Sequence, residues 1–316
     1  MTRAEGDLLV FGGSASRNLT ARICAELGTD PGACETMRFA DGNLFVRILE
    51  NVRGREVYVV QSTVFPSNDH FMELLFWIDA FKRASADRVT AIVPYFSYAK
   101  GDKKDEPRVS IRARVCADAI EATRVDRLVT VDLHAPQIQG FFKVPVDDLY
   151  AAPALCDAVG ALGLEDLVVV APDAGFAKKA RLYATRLSTP LVIADKERKD
   201  HDERAEIVEV IGDVRDRNAL IVDDFTTSGG TLAAAATALL DHGARSVFAA
   251  VTHGVFGPGS MEAIDASPIE ALFCTDTVET QPVALSDKIR VVTLAPLLAE
   301  AIKRIHNRES ISGLFL

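Results

Sequence analysis

No CxxC pair occurs in this chain, and its five cysteines (Cys24, Cys34, Cys116, Cys156, Cys274) are odd in number and widely scattered. That excludes a zinc or disulfide framework and points to a reducing, cytoplasmic setting. A long apolar run is also missing. The longest, around Leu232–Leu240, is mostly alanine and falls short of the ~18 residues of a membrane span, so no membrane partner is expected. The apolar stretch Leu8–Phe11 is too short for a signal-peptide core. Positive charge is scarce. Lys and Arg total 35 against 45 Asp and Glu, a formal net charge of −10, and a field of that sign does not hold nucleic acid. Neither GxxxxGK(S/T) nor GxGxxG occurs, which removes support for P-loop and dinucleotide readings.

What is present has the ordinary globular balance, 48% hydrophobic and 25% charged over 316 residues. At roughly 100–200 residues per domain, two domains are expected. Short β-rich runs alternate with helical patterns. Strands are predicted over Glu56–Gln61, Val89–Pro94, Leu128–Asp132, Leu167–Val170, Leu191–Ala194, Ala219–Val222 and Ser246–Val251. Helices are predicted over Asn68–Ala84, Ile111–Ala122, Gly175–Leu187 and Gly230–His242. This alternation means βαβ units, parallel sheets and flanking helices. The segment from Glu56 through Val93 echoes the one from Asn218 through Ala250. Two similar α/β domains with a boundary near Val146–Ala152 follow, although a pattern common to all βαβ units would look alike too.

The sharpest chemical signal is Ile221-Val222-Asp223-Asp224-Phe225-Thr226-Thr227-Ser228-Gly229-Gly230-Thr231. An apolar strand meets two carboxylates, a small-residue turn and an Ala-rich helix. Ligands of open α/β sheets bind at such carboxyl ends of strands. Turn N–H groups and a helix N-terminus suit a phosphate, and the carboxylates suit vicinal sugar hydroxyls. Two more predicted strands end in polar residues, at Asp132-Leu133-His134 and at Pro172-Asp173. Together they suggest acceptors for Mg²⁺, which takes hard oxygen ligands and shares them with substrate phosphates. The charged run from Asp195 to Arg204, with Lys196 and Arg198, reads either as a solvated loop or as a mobile one closing over phosphates.

The Asp223-Asp224 and Ser228–Thr231 pair resembles the ribose-phosphate loop of phosphoribosyltransferases and phosphoribosyl pyrophosphate synthases. Further stretches select the synthases: Gln61-Ser62-Thr63, Asn68-Asp69, Met72–Leu75, Lys82–Ala86, Val131–Ala135, Gln137–Phe142 and Asp195–Arg198. The likeness runs from about Leu9 to Phe315. The chain thus resembles the ribose-phosphate pyrophosphokinase family, which implies transfer of the pyrophosphoryl group of Mg-ATP to the 1-hydroxyl of ribose 5-phosphate. It also implies a pair of phosphoribosyltransferase-like domains in a homo-oligomer, a hexamer or smaller symmetric assembly. The first would cover 1–148, joined by a C-terminal helix at about 304–316; the second would cover 149–303.

Carried across, the resemblance gives His134 and Asp173 to Mg²⁺ and Lys196 and Arg198 to the transferring group. It gives Asp223 and Asp224 to the ribose hydroxyls, and Thr227, Ser228, Gly229, Gly230 and Thr231 to the 5-phosphate. ATP would meet Phe39, Asp41, Gly42 and Asn43, with Lys100, Gly101 and Asp102. The family's usual Phe-Ser-Asp-Gly-Glu is here Phe39-Ala40-Asp41-Gly42-Asn43, and its Tyr-Ala-Arg-Gln-Asp is Tyr98-Ala99-Lys100-Gly101-Asp102. Lys100 lacks the planar fork of Arg. Phe176 stands where a second glycine is common. Two other readings stay open at this point: a catalytically weak subunit of a synthase hetero-oligomer, and a phosphoribosyltransferase.

Overall fold

The computed structural model describes residues 8–197, 206–279 and 285–315. Its contacts divide the chain into two compact units. The first comprises Met1–Tyr150, Thr277–Glu279 and Leu294–Leu316; the second comprises Ala151–Asp276 and Thr280–Thr293.

The first unit begins with β1 (Leu8–Gly12), α1 (Arg17–Leu27) and a hairpin of β2 (Cys34–Arg38) and β3 (Leu44–Ile48). Then come β4 (Glu56–Val60), α2 (Ser67–Arg83), β5 (Arg88–Val93), α3 (Arg112–Ala122), β6 (Arg127–Val131) and β7 (Val146–Leu149). One parallel sheet runs in the order β1-β4-β5-β6-β7. Every residue of β4 is buried, as befits a strand covered on both faces. Val57 and Val59 share a core with Leu74, Trp77, Ile78 and Phe81 of α2, spaced by threes and fours to make one apolar stripe. Phe81 anchors that stripe, its ring centroid 4.7 Å from that of Phe11 and 5.6 Å from that of Trp77.

The second unit holds α4 (Ala152–Gly160), β8 (Leu167–Ala171), α5 (Ala177–Leu187), β9 (Leu191–Glu197) and β10 (Glu206–Ile211). It continues with β11 (Asn218–Thr226), α6 (Gly230–Asp241), β12 (Ser246–Gly254), α7 (Ser260–Ala266), β13 (Ile269–Thr275) and β14 (Ile289–Val292). The seven-stranded sheet has the order β10-β9-β8-β11-β12-β13-β14, with β10 antiparallel. Here β8, β11, β12, β13 and β14 repeat the succession β1, β4, β5, β6 and β7, and the β9–β10 pair takes the chain position of the β2–β3 hairpin. The echo between the Glu56 and Asn218 segments is therefore an echo of whole units.

Three expectations need correction. Strands β11 and β12 outrun their apolar cores, because ladder hydrogen bonds use the backbone and accept any side chain; Asp223 pairs with Val251 and Phe225 with His253. Strand β9 likewise continues through Lys196 and Glu197 by pairing with β10, where a loop is expected from the charges. The C-terminal helix is α8 (Ala295–Asn307), not a helix at about 304–316. It buries Leu298, Ala299, Ala301 and Ile302 and packs on α1. His306 Nδ1 bonds to Glu56 Oε2 at 2.7 Å, and Lys303 Nζ donates to the Glu26 carbonyl at 3.1 Å. Arg308, at φ 60°, ends the helix, and only a 3-10 turn over Ser312–Phe315 follows. No helix among the described residues is long and apolar enough to cross a membrane.

Candidate active site

In the second unit, β8, β9 and β11 lie side by side and parallel, so their carboxyl ends share one sheet edge. That edge carries Asp173 after β8, Lys196 within β9, and Asp223 through Thr231 at the end of β11. Asp224 is 5% exposed, whereas Thr227 and Ser228 lie open to solvent. The Asp224 N–H donates to Asp223 Oδ1 at 2.9 Å. The turn is held from outside: Val255 N–H donates to the Thr226 carbonyl at 2.9 Å and Gly257 N–H to the Thr227 carbonyl at 2.8 Å. Gly229 sits at φ 74° as the residue capping α6, and Gly230 N–H donates to Ser228 Oγ at 3.3 Å. A Cβ at Gly229 would come within 3.0 Å of Ile264 Cγ1. Glycine is required there by both conformation and space.

Asp173 is exposed, and its Oδ1 accepts from Phe176 N–H at 2.9 Å. Phe176 therefore supplies the backbone donor that shapes this turn, while its ring lies 5.7 Å from Lys179 Nζ. Arg198 falls outside the described residues, as does most of the run from Lys196 to Arg204 that is expected to be mobile.

In the first unit, Phe39–Asn43 form the tip of the β2–β3 hairpin. Phe39 and Asn43 are bonded across it at 2.8 Å, and Gly42 turns at φ 90°. Asn43 donates to Asp41 through its backbone N–H at 3.1 Å and its side-chain amide at 2.7 Å. Those two bonds hold the Asp41 carboxyl below its ordinary pKa. Asn43 thus builds the turn itself. Lys100, Gly101 and Asp102 lie at the end of a 3-10 turn (Ser97–Gly101) after β5. Gly101 is packed under Arg112, whose Cβ would lie 2.8 Å from an added Cβ. Both stretches abut the start of α2: Arg38 pairs with Asp69, and the Tyr98 hydroxyl donates to Asn68 Oδ1.

His134 follows the carboxyl end of β6 in the first unit's own sheet and is exposed. Its turn is fastened by a residue that sequence reasoning passed over: buried Asp148 accepts from Leu133 N–H at 2.9 Å. Asp132 sits at φ 45° and donates its N–H to the Leu149 carbonyl at 2.9 Å. The Val146-Asp147-Asp148-Leu149 stretch does not alternate apolar with polar residues, so no periodicity singles out Asp148. Asp102 also reaches this turn, accepting from Gln137 Nε2 at 3.2 Å.

Comparison with known proteins agrees with this layout. Residues 8–123 match the N-terminal domain of ribose phosphate pyrophosphokinase, and residues 203–316 match the phosphoribosyl synthetase-associated domain. A ribose-phosphate pyrophosphokinase of Rhizobium meliloti is 47% identical over 308 residues, 97% of this chain and 99% of that one. One from Caldanaerobacter subterraneus is 45% identical over the full length of both chains. The crystal structure of phosphoribosylpyrophosphate synthetase from Mycobacterium smegmatis superposes with a TM-score of 0.90 at 37% identity, covering 96% of this chain and 99% of that one. The chain belongs to the ribose-phosphate pyrophosphokinase family, whose members synthesise phosphoribosyl pyrophosphate.

Proposed function

We propose that this chain passes the β,γ-pyrophosphoryl group of Mg-ATP to the 1-hydroxyl of ribose 5-phosphate, with AMP as the second product. The observation that carries the reading is the strand–turn–helix of Asp223–Thr231, where carboxylates, turn N–H groups and a helix N-terminus follow one another as a sugar phosphate requires. The ribose O1 bonds to the β-phosphorus, the bond from that phosphorus to the α,β-bridging oxygen breaks, AMP leaves with the oxygen, and the hydroxyl proton is released. Such a transfer needs positioning and charge neutralisation more than covalent help.

Asp223 and Asp224 hold the ribose hydroxyls, and Thr227, Ser228, Gly229, Gly230 and Thr231 cradle the 5-phosphate. Lys196 and Arg198 meet charge on the transferring group. Phe39, Asp41, Gly42 and Asn43, with Lys100, Gly101 and Asp102, meet ATP. His134 and Asp173 are the protein's ligands to Mg²⁺. Among the described residues, no group of three or more His, Cys, Asp or Glu side chains could hold a metal alone. Magnesium fits so sparse a set, because it keeps water and substrate phosphate oxygens in its shell. When bound, it neutralises phosphate charge. The enzyme works in the cytoplasm as a homo-oligomer, a hexamer or smaller.

The test is incubation of the purified chain with Mg-ATP and ribose 5-phosphate, followed by chromatography. AMP and phosphoribosyl pyrophosphate should form in equal amounts and only with both substrates and Mg²⁺ present. A non-catalytic subunit would yield no AMP, and a phosphoribosyltransferase would consume the sugar pyrophosphate; either result overturns the reading.

A further inference from the structure

Glu73 lies on α2 and is 1% exposed, yet it belongs to none of the groups assigned above. Its carboxylate collects donors from separate stretches of the first unit. Oε1 accepts from Ser14 N–H at 2.9 Å, from Thr36 Oγ1 at 2.9 Å and from Trp77 Nε1 at 3.2 Å. Oε2 accepts from Gln61 Nε2 at 3.0 Å and from the Ser14 hydroxyl. A carboxylate offers about four lone-pair sites, so this one is saturated. Gln61 is locked in turn, its Oε1 accepting from Ala15 N–H at 3.1 Å. The β1–α1 turn, the end of β4 and the body of α2 thus meet at one buried group.

Of these donors, Thr36 alone lies on the β2–β3 hairpin. Alternate residues of a strand share a face, and on this face of β2 Cys34, Thr36 and Arg38 succeed one another. Cys34 packs against the apolar core, Thr36 bonds to Glu73, and Arg38 pairs with Asp69. The Arg38–Asp69 pair is solvent-exposed on both sides, and such pairs hold weakly. Cys34 lies at the far end of the strand from the tip. On β2, the hydrogen bond nearest the 39–43 tip that reaches a buried group is therefore Thr36 to Glu73, beside Val46 of β3, which pairs with Thr36 and packs on the core.

We propose that Glu73 is a positioning residue for the nucleotide loop: through Thr36 it fixes the β2–β3 hairpin, and hence Phe39–Asn43, against the sheet. This rests on the reading of that loop as an ATP contact. A charge-assisted hydrogen bond of this kind is among the stronger ones, and neither Thr36 nor Glu73 touches a substrate in that reading.

Replacing Glu73 would strand several donors at once and endanger folding, so the test uses Thr36→Val, which keeps shape and removes the hydroxyl, and Thr36→Ser, which keeps the hydroxyl. Backbone hydrogen exchange over 34–48 should quicken in Thr36→Val and return to the wild-type rate in Thr36→Ser. Equilibrium binding of Mg-ATP should weaken roughly tenfold in Thr36→Val, the size of one hydrogen bond to a charged group. Binding of ribose 5-phosphate should stay within twofold. Unchanged exchange in Thr36→Val overturns the proposal, as does an equal loss for both substrates. Phe39→Ala separates the underlying reading. If it weakens ATP binding while Thr36→Val does not, the joint is refuted and the loop assignment stands. If Phe39→Ala leaves ATP binding intact, the loop assignment itself falls and takes the proposal with it.

Discussion

Asp223 and Asp224 are adjacent on one strand and meet different surroundings, since successive side chains leave a strand on opposite faces. Asp224 is buried, and Asp223 is half-buried and accepts from the Asp224 N–H. Lys196 differs from both, because it stands on the ladder between β9 and β10. Its backbone is thereby fixed in the sheet. Lys196→Ala should accordingly lose roughly 10²–10⁴ in kcat, as expected for removing a charge aimed at the transferring group. The KM for ribose 5-phosphate should change little. Steady-state kinetics decides, and a mutant within threefold of wild type would remove Lys196 from catalysis. At Asn43 the two bonds to Asp41 hold the hairpin tip. Asn43→Glu removes the amide donor and adds a second carboxylate. The Asp41 pKa should then rise, by NMR titration, and preference for ATP over GTP should sharpen by up to about 1–3 kcal/mol of polar recognition. Unchanged nucleotide ratios would show that position 43 does not face the base.

Among the elements, the turn between β11 and α6 stands on one backbone conformation. With Gly229 at φ 74° and Ile264 Cγ1 already 3.0 Å from any added Cβ, Gly229→Ala meets both strain and a clash. The left-handed conformation alone costs about 1–2 kcal/mol for a residue with a side chain. Thermal melting should register that loss, and the KM for ribose 5-phosphate should rise with it because the turn must shift. A variant with unchanged Tm and KM would show that the turn does not need glycine. Helix α7 depends on a partner from outside. Lys288 Nζ donates to the carbonyls of Ile264, Asp265 and Ser267 at 3.3, 3.0 and 2.7 Å, joining the Ser267 N–H and hydroxyl that already bond to Ile264 at the helix end. Lys288→Met should destabilise the protein by about 1–3 kcal/mol, measured by denaturant unfolding.

For the whole molecule, the cysteines carry a pH signature. None is in a disulfide. Burial pushes Cys24 and Cys116 up to about 11, and Cys156 and Cys274 up to about 12. In the unfolded chain these thiols ionise near pH 8.5. Between that value and the folded values the unfolded state binds fewer protons, so stability falls as pH rises. Denaturant unfolding at pH 7.5 and at pH 9.5 should show the decline, with a shallower slope in Cys274→Ala. At neutral pH the same burial keeps the thiols protonated, so a thiol reagent should label half-buried Cys34 first and the others only on unfolding. A native chain that labels all five at one rate would contradict the burial described.

The α/β class, the paired units and the strand–turn–helix of Asp223–Thr231 were legible because each is written in contiguous residues. Apolar periods of two and 3.6 mark strands and helices, and Asp223–Thr231 carries its chemistry in one uninterrupted run. What failed to show lies where the backbone or distant partners decide. Strand β9 looks like a charged loop through Lys196, because an edge ladder is satisfied by backbone atoms whatever the side chains. The helix α8 joins the first unit although it follows the second in sequence, since its apolar face is completed by α1. Glu73 reads as one more polar residue on an amphipathic helix until Ser14, Thr36 and Gln61 are brought to it from up to 59 residues away. A buried carboxylate is stable only when such partners arrive together, and only the tertiary structure brings them there.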